Sequence, residues 1–131
     1  HSTTSYLQKM PLAKKHYRHY LPLFPNAIES LDFTGYDLII SSSYAVAKGI
    51  KKKENQIHIC YCHSPVRYAW DLKKEYLSSL SWPAQQLSKP VLNYIRNWDQ
   101  STTSRVDLFI ANSNNVAERI KRIFLLGKMV V

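Results

Sequence analysis

The sequence has only three glycines in 131 residues, at Gly35, Gly49 and Gly127. It therefore holds no G-x-G-x-x-G turn, no P-loop and no G-x-S-x-G nucleophile elbow. Its two cysteines, Cys60 and Cys62, stand on one strand-like run, too close together to bridge comfortably, which excludes a disulfide-stapled secreted scaffold. With His58 they alternate onto one face, but structural zinc needs four ligands and no second Cys or His pair supplies the rest, so no metal is expected. No apolar run approaches the roughly 20 residues of a membrane-spanning helix, and the N-terminus carries no signal-peptide pattern. These absences point to a soluble chain in a reducing, cytoplasmic setting. Acidic residues are scarce as well: 9 Asp and Glu face 18 Lys and Arg, a net charge of +9.

Such an excess attracts polyanions, whether nucleic acid, anionic lipid headgroups or phosphorylated substrates, without choosing among them. Lys9, Lys14, Lys15, Arg18 and His19 interleave with Tyr6, Tyr17 and Tyr20, and a second run holds Lys48, Lys51, Lys52 and Lys53. Solvated helix faces and a turn would account for both runs. A basic nucleic-acid-binding module or a non-catalytic interaction module is thus an alternative reading, but no RNP, zinc-finger or helix-turn-helix signature accompanies it, and nucleic acid is not the expected partner.

Hydrophobic residues make up 45% of the chain, enough for a core in one ordinary domain or part of one. Four short apolar runs read as strands: residues 37–41 (DLIIS), 57–62 (IHICYC), 107–111 (DLFIA) and 129–131. Continuous β-branched runs of this kind suit a parallel sheet buried on both faces. Helical patterns lie between them. Ser43 can cap a short helix that stops at Gly49. Val66, Ala69, Trp70, Leu77 and Leu80 recur at helical spacing, with Arg67 and Asp71 as an i,i+4 pair, until Trp82-Pro83 breaks the pattern. A second long helix is expected from Pro90, presenting Val91, Ile95, Trp98 and Thr102 on one face. A last helix carries Val116, Ile120 and Ile123, with Asn115 and Glu118 at capping-box spacing. The Pro-punctuated stretch from Pro11 to Ser30 reads as broken helices. Alternating strand and helix define an α/β, Rossmann-like parallel sheet flanked by helices, with right-handed crossovers.

Three strands end in polar clusters before a helix: Ser41-Ser42-Ser43, His63-Ser64, and Asn112-Ser113-Asn114-Asn115. Ligands of open α/β sheets bind beyond the carboxyl ends of the strands, where helix N-termini offer free N–H groups to phosphate or sugar oxygens. Helix capping would explain any one cluster by itself. No apolar periodicity explains His63, which could hold a substrate hydroxyl, while Arg67 could clamp a phosphate. Tyr68 or Trp70 could stack on a ligand, although Trp70 also fits a core position.

Taken in order, the stretches LQKMPLAKKHYRHYLPLFPNAIESLDFTGYDLIISSSYAVAKGI, HICYCHSPVRYAWDLKKEYL and NYIRNWDQSTTSRVDLFIANSNNVAERIKRIF resemble the N-terminal, acceptor-side domain of a glycosyltransferase family 4 enzyme of the GT-B fold. HSPVRYAWD and IANSNNVAERIKR are the most specific of these. The resemblance implies a retaining, metal-independent transfer from a nucleotide-sugar donor to a saccharide or lipid-linked acceptor in polysaccharide or lipopolysaccharide synthesis. It implies that His63 is the cleft-facing catalytic histidine, that Arg67, Tyr68 and Asp71 support it, and that Asn112, Ser113 and Asn115 line the same cleft. Ser42 and Ser43 join them as substrate-binding candidates at the strand end. The chain begins at His1 without the family's Gly-rich loop, ends without its Y-P-P-V stretch, and lacks the donor domain. It is expected to be a fragment of one domain, binding no cofactor itself and inactive alone, from a protein in the cytoplasm or peripheral at the inner face of the membrane. An anionic membrane surface and self-association are its other expected contacts.

Overall fold

The computed structural model describes residues 5–9, 17–44, 46–65, 70, 77–78, 80–124 and 129–131. Four strands, β1 (Leu38–Ser43), β2 (Ile57–Cys62), β3 (Leu108–Ala111) and β4 (Met129–Val130), form one sheet in that order, every pair parallel. These are the four runs the apolar pattern marks. The first extends beyond its apolar part through Ser42 and Ser43, because both stand opposite Tyr61 and Cys62 and the inter-strand ladder continues.

A 3-10 stretch, Tyr17–Leu23, leads into α1 (Phe24–Glu29), matching the broken helices expected there; residues 10–16 lie outside the described residues. Helix α2 spans Trp82–Ser101 and α3 spans Asn114–Phe124. Helix α2 corrects the sequence reading. Pro83 sits in its first turn, where a missing N–H costs nothing, so this helix starts at Trp82 and not near Pro90, while the helical residues 77–78 give way to a break at 80–81 just before it. Pro90 lies in its interior on the exposed side, where water can reach the Gln86 carbonyl left without a partner. The short helix expected after Ser43 is a 3-10 turn, Ala47–Gly49. Of the expected helix around Val66, Arg67, Ala69 and Asp71, those four residues lie outside the described ones.

Burial alternates strictly along β1 and β2. Cys60, Cys62, Phe109 and Ala111 pack against Val116, Ala117, Ile120, Ile123 and Phe124 of α3, and Leu21 packs with Ile95 of α2. Trp70 touches both clusters and donates its indole N–H to Asp99 Oδ2 at 2.8 Å, so it takes the core role. The opposite sheet face carries Leu38, Ile40, Ile57, Tyr61 and Val130, all exposed. Burial on both faces therefore does not hold among the described residues. A sheet that adds each new strand on the same side through right-handed crossovers puts its helices on one face.

The second basic run is not a solvated surface throughout. Lys48 is 1% exposed, its ammonium 3.2 Å from Asp99 Oδ1 and 3.0 Å from Thr102 Oγ1, with the Phe124 ring at 4.6 Å. It also donates to the Asp99 carbonyl. Lys51 pairs with Glu29 at 3.2 Å, and Lys52 pairs with Asp107 at 3.1 Å. Glu29 further accepts from Trp98 Nε1 and Arg105 Nη1, both at 2.8 Å, and Arg105 donates to the Gly49 carbonyl at 2.7 Å. Gly49 is required here by space: a Cβ would lie 2.2 Å from two atoms of the Trp98 ring.

Candidate functional site at the strand ends

The ladder register sets Ser43 beside Cys62 and Cys62 beside Ala111, so β1, β2 and β3 end flush. The next residues, Tyr44, His63 and Asn112, therefore emerge side by side at strand spacing, about 4.8 Å. Parallel strands could not deliver them otherwise. All run the same way, so all carboxyl ends share one rim.

His63 is held at this rim from three directions. Its backbone N–H donates to the Ser43 carbonyl at 2.9 Å, continuing the ladder one step past β2. Its Nε2 lies 2.9 Å from Ser42 Oγ, an exposed hydrogen bond across the strand gap. The Tyr61 ring meets it edge-on, with centroids 5.0 Å apart and planes at 81°. Alternation explains the grouping: Ser42 and Tyr61 leave the sheet on the uncovered face. Tyr61 was not among the sequence candidates, although its i−2 position relative to His63 is the signal that would have found it.

The structure separates the two serines. Ser43 is 1% exposed and its side chain faces the helix layer; its contribution at the rim is its carbonyl. On β3, Asn112 and Ser113 are both exposed. Ser113 Oγ accepts from the Val116 N–H at 3.3 Å and its carbonyl accepts from Ala117 N–H at 2.9 Å, so Ser113 is the N-cap of α3. Asn115 lies in the first turn of the helix, exposed, and the expected Asn115–Glu118 capping box gives way to this cap; Glu118 pairs with Lys121 at 3.0 Å. Helix α3 thus aims its N-terminal N–H groups and positive dipole end at the rim. Arg67, Tyr68 and Asp71 lie outside the described residues.

The other candidate chemistry does not assemble. His58 is fully buried: Nδ1 lies 3.1 Å from the Arg105 carbonyl, which can only accept, so Nδ1 carries the proton and Ser41 Oγ donates to Nε2 at 2.8 Å. Burial lowers its pKa below the ordinary value and keeps it neutral. The hydrogen bond with Cys60, reinforced by burial, pushes the Cys62 thiol well up, which makes it a packing group and not a nucleophile. Among the described residues no cluster of His, Cys, Asp or Glu could hold a metal ion. Two hollows of about 300 and 220 Å³ are lined by Leu31, Phe33, Tyr36 and Ile40 and by Lys51, Lys53 and neighbours, and neither includes a rim residue.

A parallel α/β sheet with its polar residues gathered on the carboxyl edge is the frame on which the comparison with known families bears. The model of Glycosyltransferase Family 4 matches residues 5–131. The chain belongs to glycosyltransferase family 4. Comparison with curated proteins and with solved structures finds no match. Membership in that family supports a glycosyltransferase role for the chain.

Proposed function

We propose that the rim is the acceptor-side wall of a cleft in which a sugar passes from a nucleotide-sugar donor to a saccharide or lipid-linked acceptor with retention of configuration. The observation that supports this reading is the Ser42–His63 contact of 2.9 Å at the flush ends of two parallel strands. His63 would hold a hydroxyl of the reacting sugar. Ser42 restricts its ring, so a hydroxyl either replaces Ser42 at Nε2 or meets Nδ1; Tyr61 limits rotation from the side. Asn112 would add hydrogen bonds to sugar oxygens, and the start of α3 would meet negative charge on a phosphate. The fold alone hosts many chemistries, so the reading rests on these residues and on the family.

The test is transfer of labelled sugar from UDP- and GDP-hexoses to a polyprenyl-diphosphate-linked acceptor by the protein that carries this domain. His63→Ala should lower turnover at least about tenfold, the size of one lost positioning contact. Ser42→Ala should cost less and shift the imidazole ¹⁵N resonances of His63. Unchanged turnover in His63→Ala, with the fold intact by circular dichroism, would remove His63 from the site.

A further inference from the structure

Tyr44 is the one aromatic side chain of the rim row that its neighbours do not hold. Ser42 and Tyr61 stand opposite each other in the β1–β2 ladder, and two residues further on Tyr44 follows Ser42 and His63 follows Tyr61. The bond from the His63 N–H to the Ser43 carbonyl carries the ladder far enough to set Tyr44 beside His63, at strand spacing of about 4.8 Å. These four residues occupy the corners of one patch at the end of the sheet. Three of them hold one another: Ser42 Oγ meets His63 Nε2 at 2.9 Å, and the Tyr61 ring meets His63 edge-on. The fourth, Tyr44, is 61% exposed, and no described residue bonds its hydroxyl or stacks on its ring.

We propose that Tyr44 is a specificity-determining residue: its ring is the platform on which the terminal pyranose of the acceptor stacks, with the reacting hydroxyl at His63. The inference rests on the sugar-transfer reading of the rim and narrows its acceptor to one that ends in a sugar ring. A pyranose carries hydroxyls around its edge and C–H groups on its faces, and the neighbouring oxygens leave those hydrogens partly positive. The face of a phenol ring is the negative part of its quadrupole, so the two surfaces attract while both shed water. The hydroxyl edge needs partners of its own, and the same row supplies them: His63 one strand over and exposed Asn112 the next, about 10 Å from Tyr44. An aromatic surface with a few placed polar groups is how binding sites fix the orientation of a small ligand. Exposed aromatics scattered singly need no explanation. Register places this one beside the histidine on which the transfer reading rests. A polyprenyl phosphate without sugar has no ring hydroxyls to meet His63 and Asn112 while it lies on Tyr44.

The experiment is steady-state transfer from UDP- and GDP-hexoses by the protein that carries this domain. The acceptors are polyprenyl diphosphates that end in a pyranose and polyprenyl phosphate without sugar. Transfer to the sugar-ended acceptors is expected. Tyr44→Ala should raise their KM roughly fivefold, the size of one lost aromatic stacking contact, with kcat falling less than about twofold and the donor KM unmoved. Tyr44→Phe keeps the ring face and should recover most of the loss. Far-UV circular dichroism confirms that each variant is folded. An acceptor KM that Tyr44→Ala leaves unchanged overturns the proposal. So does a rise in the donor KM in its place, which would set the ring against the other substrate. A Tyr44→Phe enzyme as poor as Tyr44→Ala would assign the contact to the hydroxyl and overturn it, as would preferred transfer to polyprenyl phosphate without sugar. His63→Ala, run alongside, separates this inference from the reading beneath it. Lower turnover in that variant with Tyr44→Ala silent removes only the platform, whereas no effect of either variant removes both.

Discussion

The Lys48–Asp99 pair gives the sharpest test of how this fold is held together. Both side chains are at most 1% exposed, the charges are 3.2 Å apart, and burial is the main force lowering the Lys48 pKa, opposed by Asp99. Asp99→Asn keeps the shape and an acceptor for Trp70 but leaves an ammonium in the interior without its counter-charge. Breaking a buried pair in this way costs about 3–5 kcal/mol, against a total of about 5–15 kcal/mol for a domain. A fall in melting temperature of about 10 °C or more follows at this chain length. Lys48→Met alone should cost a similar amount, because the buried carboxylate then loses the cation 3.2 Å from it. The double variant Lys48→Met/Asp99→Asn removes both charges, keeps an acceptor for Trp70, and should be far more stable than the sum of the single changes predicts. Urea unfolding of all four proteins measures the coupling. Additive losses, within about 0.5 kcal/mol, would mean that the two charges are solvated separately and would refute the reasoning.

Gly49→Ala should destabilise by about 3 kcal/mol or prevent folding, since its Cβ would enter the Trp98 ring at 2.2 Å and the backbone would have to move; thermal unfolding checks this. Burial alone would raise the pKa of Glu29, but hydrogen bonds from Trp98, Arg105 and Lys51 outweigh it and lower the group from 4.5 to about 2. A carboxylate lowered on folding stabilises above its unfolded value, so about 1–2 kcal/mol, after solvent screening, should be lost as pH falls from about 4.5 to about 2. Glu29→Gln should flatten that part of the stability–pH curve, and an unaltered curve would show that the cluster carries no such energy. Ser113→Ala should cost about 1 kcal/mol through loss of the α3 cap, while Asn115→Ala stays within about 0.5 kcal/mol; the reverse order would restore the capping box in place of the Ser113 cap.

The strands were legible because a parallel strand announces itself as a short continuous β-branched run, and residues 57–62 appear with the bounds the pattern gives. The rim was legible for a related reason. Strands that all run one way must unload their terminal residues on one edge, so the sequence pattern alone places Ser42, His63 and Asn112 there. Helix α2 was not. Pro83 and Pro90 are both punctuation in a linear reading, and only the side of the helix on which each falls decides whether it starts, breaks or is tolerated by the helix. Ser43 illustrates the same limit at the site: two residues of strand extension bring it into the ladder, where alternation turns its side chain from the rim to the core.

The order of strands and helices, the alternation along each strand and the polar strand ends follow from local pattern, since steric and solvation preferences act over a few neighbours. Partners about 20 or more residues away lie beyond that reach. Lys48 reads as one of four surface lysines and is buried because Asp99, distant in sequence, supplies its counter-charge. Gly49 reads as a helix stop and is fixed by the indole of Trp98. His63 gains its orientation from Ser42 across a strand gap that only the assembled sheet creates. Which charges are internal, and which faces are covered, is decided by packing, because burial is a property of the whole chain and not of any segment.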